Sequence, residues 1–162
     1  VALYVLLKPV GKSLALLALS WKVIEAAIVA AIVLVSFIAL QLSNEATLVA
    51  PFTPDQLQFP VGLILSAHSA LFSIPMVFLG LDMTVFSYLF FKSKYIPGTL
   101  AGFGILSFAL IFIHALMFIL APKYAMMPIN QAIFYGPSGV FEIIIGIWLL
   151  FKGVDLQQGE ET

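Results

Sequence analysis

Residues 20–40 read Ser-Trp-Lys-Val-Ile-Glu-Ala-Ala-Ile-Val-Ala-Ala-Ile-Val-Leu-Val-Ser-Phe-Ile-Ala-Leu, with two charges, Lys22 and Glu25, at the head of a long apolar run. On a helix that spacing makes the two side chains neighbours, so a cation and an anion can pair. In hydrocarbon each charge alone would cost about 2.5–3.5 kcal/mol, so the pair is expected to face protein or trapped water. The stretch therefore predicts a membrane helix with a polar point in its length, and another part of the chain should face that point.

Composition agrees. Of 162 residues, 62% are hydrophobic and 9% charged, with a mean hydropathy of +1.14, whereas a soluble domain is about 25% charged. The expected fold class is all-α, a polytopic transmembrane helix bundle in a single membrane domain. Seven lysines and no arginine make up the basic complement, which argues against nucleic-acid binding, since that needs a clustered basic patch. With no cysteine there is no thiol nucleophile, disulfide or thiolate metal site. The chain opens on Val1 inside an apolar run, and we read it as a fragment lacking an N-terminal helix and part of the next.

Residues 1–8 form an apolar stub that Lys8, Pro9, Gly11 and Lys12 close; it is too short to cross about 30 Å of hydrocarbon. Complete spans are expected at 13–42, 61–91, 98–120 and about 130–151. Residues 43–60 read as a loop with Glu45 and Asp55, and Pro75 should kink the second span. Gly98 and Gly102 form a GxxxG pair at the head of the third, which is either a close helix contact or glycine common in membrane helices. Gly136–Pro137 permits two starts for the fourth span, a kinked helix from Ile129 or a short helix from Pro137. Residues 152–162 are a polar tail. Lys8, Lys12, Lys92, Lys94 and Lys152 fall at one side and Lys123 at the other, so the positive-inside rule places the five-lysine side in the cytoplasm of a bacterial inner membrane.

Depth can be counted from those lysines. Lys22 lies ten residues from Lys12, Asp82 ten from Lys92 and Glu142 ten from Lys152, each about 15 Å along a helix. Three spans thus bring ionisable groups to one level, with Glu25 one turn deeper, and the expected cluster is Lys22, Glu25, Asp82 and Glu142. One lysine against three carboxylates leaves about two surplus negative charges, so at least one carboxyl is expected to hold its proton. His68 and His114 form a second level, about 12 Å inside the outer ends of their helices. They either share a metal or donate to backbone or serine; no metal site is expected from them alone. His68 and Asp82, fourteen residues apart, should share a helix face. No catalytic motif is present, and an Asp82/Glu142 carboxyl pair as an intramembrane enzyme rests on shared depth alone.

Several stretches, Leu3-Tyr4-Val5-Leu6-Leu7-Lys8-Pro9-Val10, Trp21-Lys22-Val23-Ile24-Glu25-Ala26, residues 88–97, and Glu142 with residues 147–154, together resemble a bacterial membrane family of unknown function, domain-of-unknown-function family 4386. The resemblance implies a six-helix membrane protein, of which this chain would hold four spans and a stub. It implies no activity and no cofactor. Lys22 stands where that family commonly has arginine, which forfeits a planar fork able to grip two carboxylates. The expected function is non-enzymatic binding, in the setting of transport, of a small polar ligand, ion or proton at the buried cluster. The alternative is an accessory or scaffold subunit of a larger membrane complex, with the cluster serving helix packing. Expected partners are the lipid bilayer and another membrane protein or a second copy.

Overall fold

The computed structural model describes residues 1–44 and 54–154, and the regular structure among them is entirely helical. Six helices follow in order: α1 (Ala2–Asn44), α2 (Pro54–Leu71), α3 (Ser73–Ser93), α4 (Gly98–Leu120), α5 (Pro122–Ala125) and α6 (Pro128–Phe151). Four stretches are long and apolar enough to cross a membrane: Ala2–Gln41, Phe59–Ser93, Gly98–Leu120 and Pro128–Phe151. The all-α polytopic fold is therefore present. The acidic loop position Glu45 and the tail 155–162 lie outside the described residues.

The stub and the first span are two helical stretches that meet at Gly11, and together they are labelled α1. α1 runs from Ala2 to Asn44 with Pro9 inside it and bends at Gly11, where φ is −169° and ψ is 82°. The bend lets both sides of α1 pack on the same partner, because Leu7 before it and Ala15 and Ala18 after it enter one core with Phe86, Leu89 and Phe90 of α3. The second span is interrupted for a single residue, Phe72, between α2 and α3. Pro75 explains the position, since it has no N–H for the Leu71 carbonyl and its ring crowds that oxygen. α2 starts earlier than the expected span, with Pro54 as its first residue, a position where the missing N–H would have no helical partner anyway.

α6 settles the two readings of the fourth span. It is helical from Pro128 with Pro137 in its interior, so there is no short helix starting within the bilayer. In a helix of 24 residues the rest of the ladder survives the loss of one bond. The segment expected to be a loop after α4 holds the single turn of α5.

α3 packs on both α1 and α4, α4 packs also on α6, and α2 packs mainly on α1. Between hydrocarbon-soluble helices the hydrophobic effect gives no attraction, so close backbone approach has to supply it. Two glycines do this. A Cβ on Gly80 would come within 2.7 Å of the Phe112 backbone, and one on Gly104 within 2.7 Å of the Phe141 ring and 2.8 Å of Ser87 Oγ. The expected pair does not: nothing lies within 4 Å of a Cβ on Gly102, and Gly98 meets only the Phe91 ring at 3.7 Å. The inward stripe of α4 is Ala101, Gly104, Phe108, Ile111 and Ala115, and Gly102 is turned about 100° away from Ala101 on the helix. Phe103 and Phe108 meet Phe141 edge-on, 6.3 and 5.6 Å between centroids, and tie α4 to α6.

Candidate functional site

One face of α1 carries the site. Ala15, Ala18, Lys22, Glu25, Ile32, Ser36 and Ala39 recur at intervals of three, four or seven residues, which is a single seam along a helix. Ala15, Ala18, Ile32 and Ala39 are buried in it. On α3 the buried residues Asp82, Phe86, Leu89 and Ser93 form the matching face. Lys22 and Glu25 therefore sit in the seam, and Asp82 sits opposite.

The three side chains converge on one ammonium. Lys22 Nζ lies 2.5 Å from Glu25 Oε2 and donates to it. The same nitrogen is 3.2 Å from Asp82 Oδ2. The lysine side chain is 35% exposed, Glu25 14% and Asp82 0%. Neither Asp82 oxygen makes a hydrogen bond among the described residues, because the contact with Lys22 has the distance but not the alignment. Thr84, two residues on, bonds its own helix at the Gly80 carbonyl.

Glu142 does not join this group. It is exposed on α6, and its neighbour Phe141 is the residue that enters the core. Counting residues from Lys152 fixes height along a helix but not rotation around it, and one residue of rotation is about 100°. The site is thus a triad of Lys22, Glu25 and Asp82, with one surplus negative charge when all three are ionised. No carboxyl pair of Asp82 with Glu142 forms, which removes the geometry an intramembrane acid pair would need.

The histidines lie at a second polar level. His68 Nδ1 is 2.7 Å from Ser36 Oγ, on the same α1 seam as Lys22 and Glu25. His68 and Asp82 therefore both face α1, on either side of the Phe72 interruption. His114, 2% exposed, has Nε2 3.1 Å from the Ala125 carbonyl and Nδ1 3.2 Å from the Tyr135 hydroxyl. Both rings line one cavity of about 500 Å³ with Phe72, Met76, Phe118 and Tyr135. Among the described residues no group of three or more His, Asp or Glu is placed to hold a metal. Ser36 and Tyr135 were missed by a reading of charges alone. The seam spacing through Lys22 and Glu25 points to Ser36, while nothing local marks Tyr135.

A second cavity, about 630 Å³, opens at the other end of the bundle, lined by Lys94, Tyr95, Trp148 and Lys152 among others. Lys152 stands 5.0 Å over the Trp148 ring. Lysines from the α3–α4 turn and from the end of α6 therefore meet at one end, while Lys123 lies in α5 beside the His114 level.

With that geometry in hand, the chain can be placed by likeness. A family model, the domain of unknown function DUF4386, matches residues 1–153, and the chain belongs to that family. No curated protein and no solved structure matches it.

Proposed function

We propose that this DUF4386 member is a non-enzymatic integral membrane protein that takes up a proton at the Lys22–Glu25–Asp82 triad, with its lysine-rich end in the cytoplasm of a bacterial inner membrane. The observation that carries this reading is Asp82, which is wholly buried and, among the described residues, has no hydrogen bond at either oxygen. A buried carboxylate that has an ion pair with Lys22 but no hydrogen bond is still costly to keep charged. A proton on Asp82 cancels the surplus charge and converts an acceptor-only group into a donor. Lys22 and Glu25, both partly exposed, give the proton a way in. Ionisable groups inside membrane spans commonly mark ion or proton pathways.

The test is a proton count. Purified wild type and Asp82→Asn are titrated side by side in detergent, and the variant should bind one proton fewer between mildly acid and mildly alkaline solution. Superimposable curves would overturn the reading. In that event the alternative stands, an accessory or scaffold role in which the triad only clamps α1 to α3. One observation favours that alternative: Glu142 is exposed on a membrane-spanning face of α6, and a Cβ on Gly139 or Gly146 beside it would meet nothing within 4 Å. A second membrane protein, or a second copy of this chain, would shield that carboxylate from lipid.

A further inference from the structure

The cavity of about 630 Å³ at the lysine end is built where three helix ends meet. Residues 94–98, between α3 and the start of α4, form one wall, and Trp148 with residues 152–154 at the end of α6 form the other. Among the described residues its lining holds two ammonium groups, Lys94 and Lys152, and no carboxylate. Neither lysine makes an ion pair among the described residues. Two like charges on one cavity give it a positive potential, which favours an anion inside it.

A lysine at a helix C-terminus is ordinarily explained by the helix dipole. Lys92 already serves the last turn of α3 in that way, and Lys94 lies beyond it in the left-handed region, φ 57° and ψ 17°. Glycine takes that conformation freely, whereas a side chain is strained in it. At the end of α6 the same conformation is taken by Gly153, φ 68°. A lysine kept where glycine would relieve the backbone points to a use for its ammonium. On the other wall Lys152 is held 5.0 Å over the Trp148 ring.

Depth narrows the chemistry of the ligand. Trp148 is one turn from the end of α6, and Tyr95 lies just past the end of α3. Trp and Tyr at the ends of spans mark the headgroup level, and basic pockets between membrane helices suit phosphate headgroups. Ile96, Pro97 and Val154 give the cavity an apolar part. α4 also opens at Gly98 in this wall with no side-chain cap, which adds N–H donors to it. From this we infer that the cavity binds a phosphate group between Lys94 and Lys152, carried by an anionic phospholipid. A soluble phosphate monoester offers the same chemistry, and the experiment separates the two sources. The cavity shares no residue with the Lys22–Glu25–Asp82 triad, so the failure of either reading leaves the other standing.

Isothermal titration of the full chain in nonionic detergent tests this with dihexanoyl phosphatidylglycerol, dihexanoyl phosphatidylcholine and glycerol phosphate. Phosphatidylglycerol should bind, and phosphatidylcholine about tenfold more weakly, because its choline cancels the phosphate charge. Glycerol phosphate matching phosphatidylglycerol would uphold the phosphate site and assign it to a soluble ligand. Lys94→Gln and Lys152→Gln should each weaken phosphatidylglycerol about tenfold. Lys123→Gln removes the same charge at the other end of the bundle and should change nothing. Lys94→Gly should weaken binding as much as Lys94→Gln does while raising the Tm, since glycine removes the backbone strain. The assignment is overturned by equal binding of the two lipids, by no binding of either anionic probe at millimolar concentration, or by equal losses for Lys123→Gln and Lys94→Gln. Binding that appears only in the combined variant Asp155→Asn, Glu160→Gln, Glu161→Gln would give the lysines to the acidic tail and overturn it as well. The wild-type probe series decides the matter even where a cavity variant fails to fold.

Discussion

Lys22 serves two carboxylates of unequal burial, and that inequality decides what each substitution costs. Glu25 is partly exposed and close to the ammonium; Asp82 is enclosed, and among the described residues Lys22 is the cation paired with it. Lys22→Met therefore strands a buried anion, and breaking such a pair costs about 3 kcal/mol, the lower end of the usual span because Lys22 is itself one-third exposed. Asp82→Asn keeps the shape, removes the surplus charge and leaves Lys22 with Glu25, so its cost should be a small fraction of that. Glu142→Gln, which touches no ion pair among the described residues, should leave stability unchanged. Thermal unfolding in detergent ranks the three, and an Asp82→Asn loss equal to that of Lys22→Met would mean that Asp82 is ionised and fully paired. The sequence reveals the level of these groups because rise per residue is constant, and lysines at the helix ends serve as zero marks. Rotation is legible only where a seam of small residues runs through the charge. Ala15 and Ala18 give that seam for Lys22 and Glu25, whereas the buried neighbour of Glu142 is a phenylalanine indistinguishable in sequence from the lipid-facing aromatics.

Helix contacts follow the same logic one scale up. Gly98 and Gly102 have the spacing that marks close helix pairs, yet the close approaches are made at Gly80 and Gly104. A motif defined by spacing says that one face is smooth; only the surrounding burial says whether that face turns inward. The difference is measurable. Gly80→Ala would push a methyl group against the Phe112 backbone, which has no rotamer to yield, and should lose about 1–3 kcal/mol. Gly102→Ala meets open space and should be neutral in thermal unfolding. Equal losses at the two positions would show that α4 packs on its GxxxG face. Helix ends divide in the same way. α4 runs from Gly98 to Leu120 as expected, because Pro97 and Pro122 bracket it, with only Ala121 between the helix and the second proline. Pro9, Pro60 and Pro137 lie inside helices, and whether an internal proline stops a membrane helix depends on whether its neighbours hold the remaining ladder.

For the whole molecule, the two polar levels and the two cavities are arranged along one axis. The lysine-lined cavity lies at one end, the triad follows along the seam, and the histidine–tyrosine cavity lies towards the end that carries Lys123. The direction of that axis across the membrane is the remaining physical question, and lysine placement gives an answer through the positive-inside rule. These 162 residues contain no cysteine, so single cysteines placed in them report sidedness without background from this stretch. Thr99 is exposed in the first turn of α4 at the lysine end, and Tyr124, 64% exposed, lies in α5 at the other. Replacing these two leaves all seven lysines in place. With a membrane-impermeant maleimide on intact cells, Tyr124→Cys should label and Thr99→Cys should label only after the membrane is opened. The reverse pattern would invert the molecule and put the histidine–tyrosine cavity on the cytoplasmic side. Labelling of both from outside is incompatible with α4 as a span, since its 23 residues separate the two positions by about 35 Å.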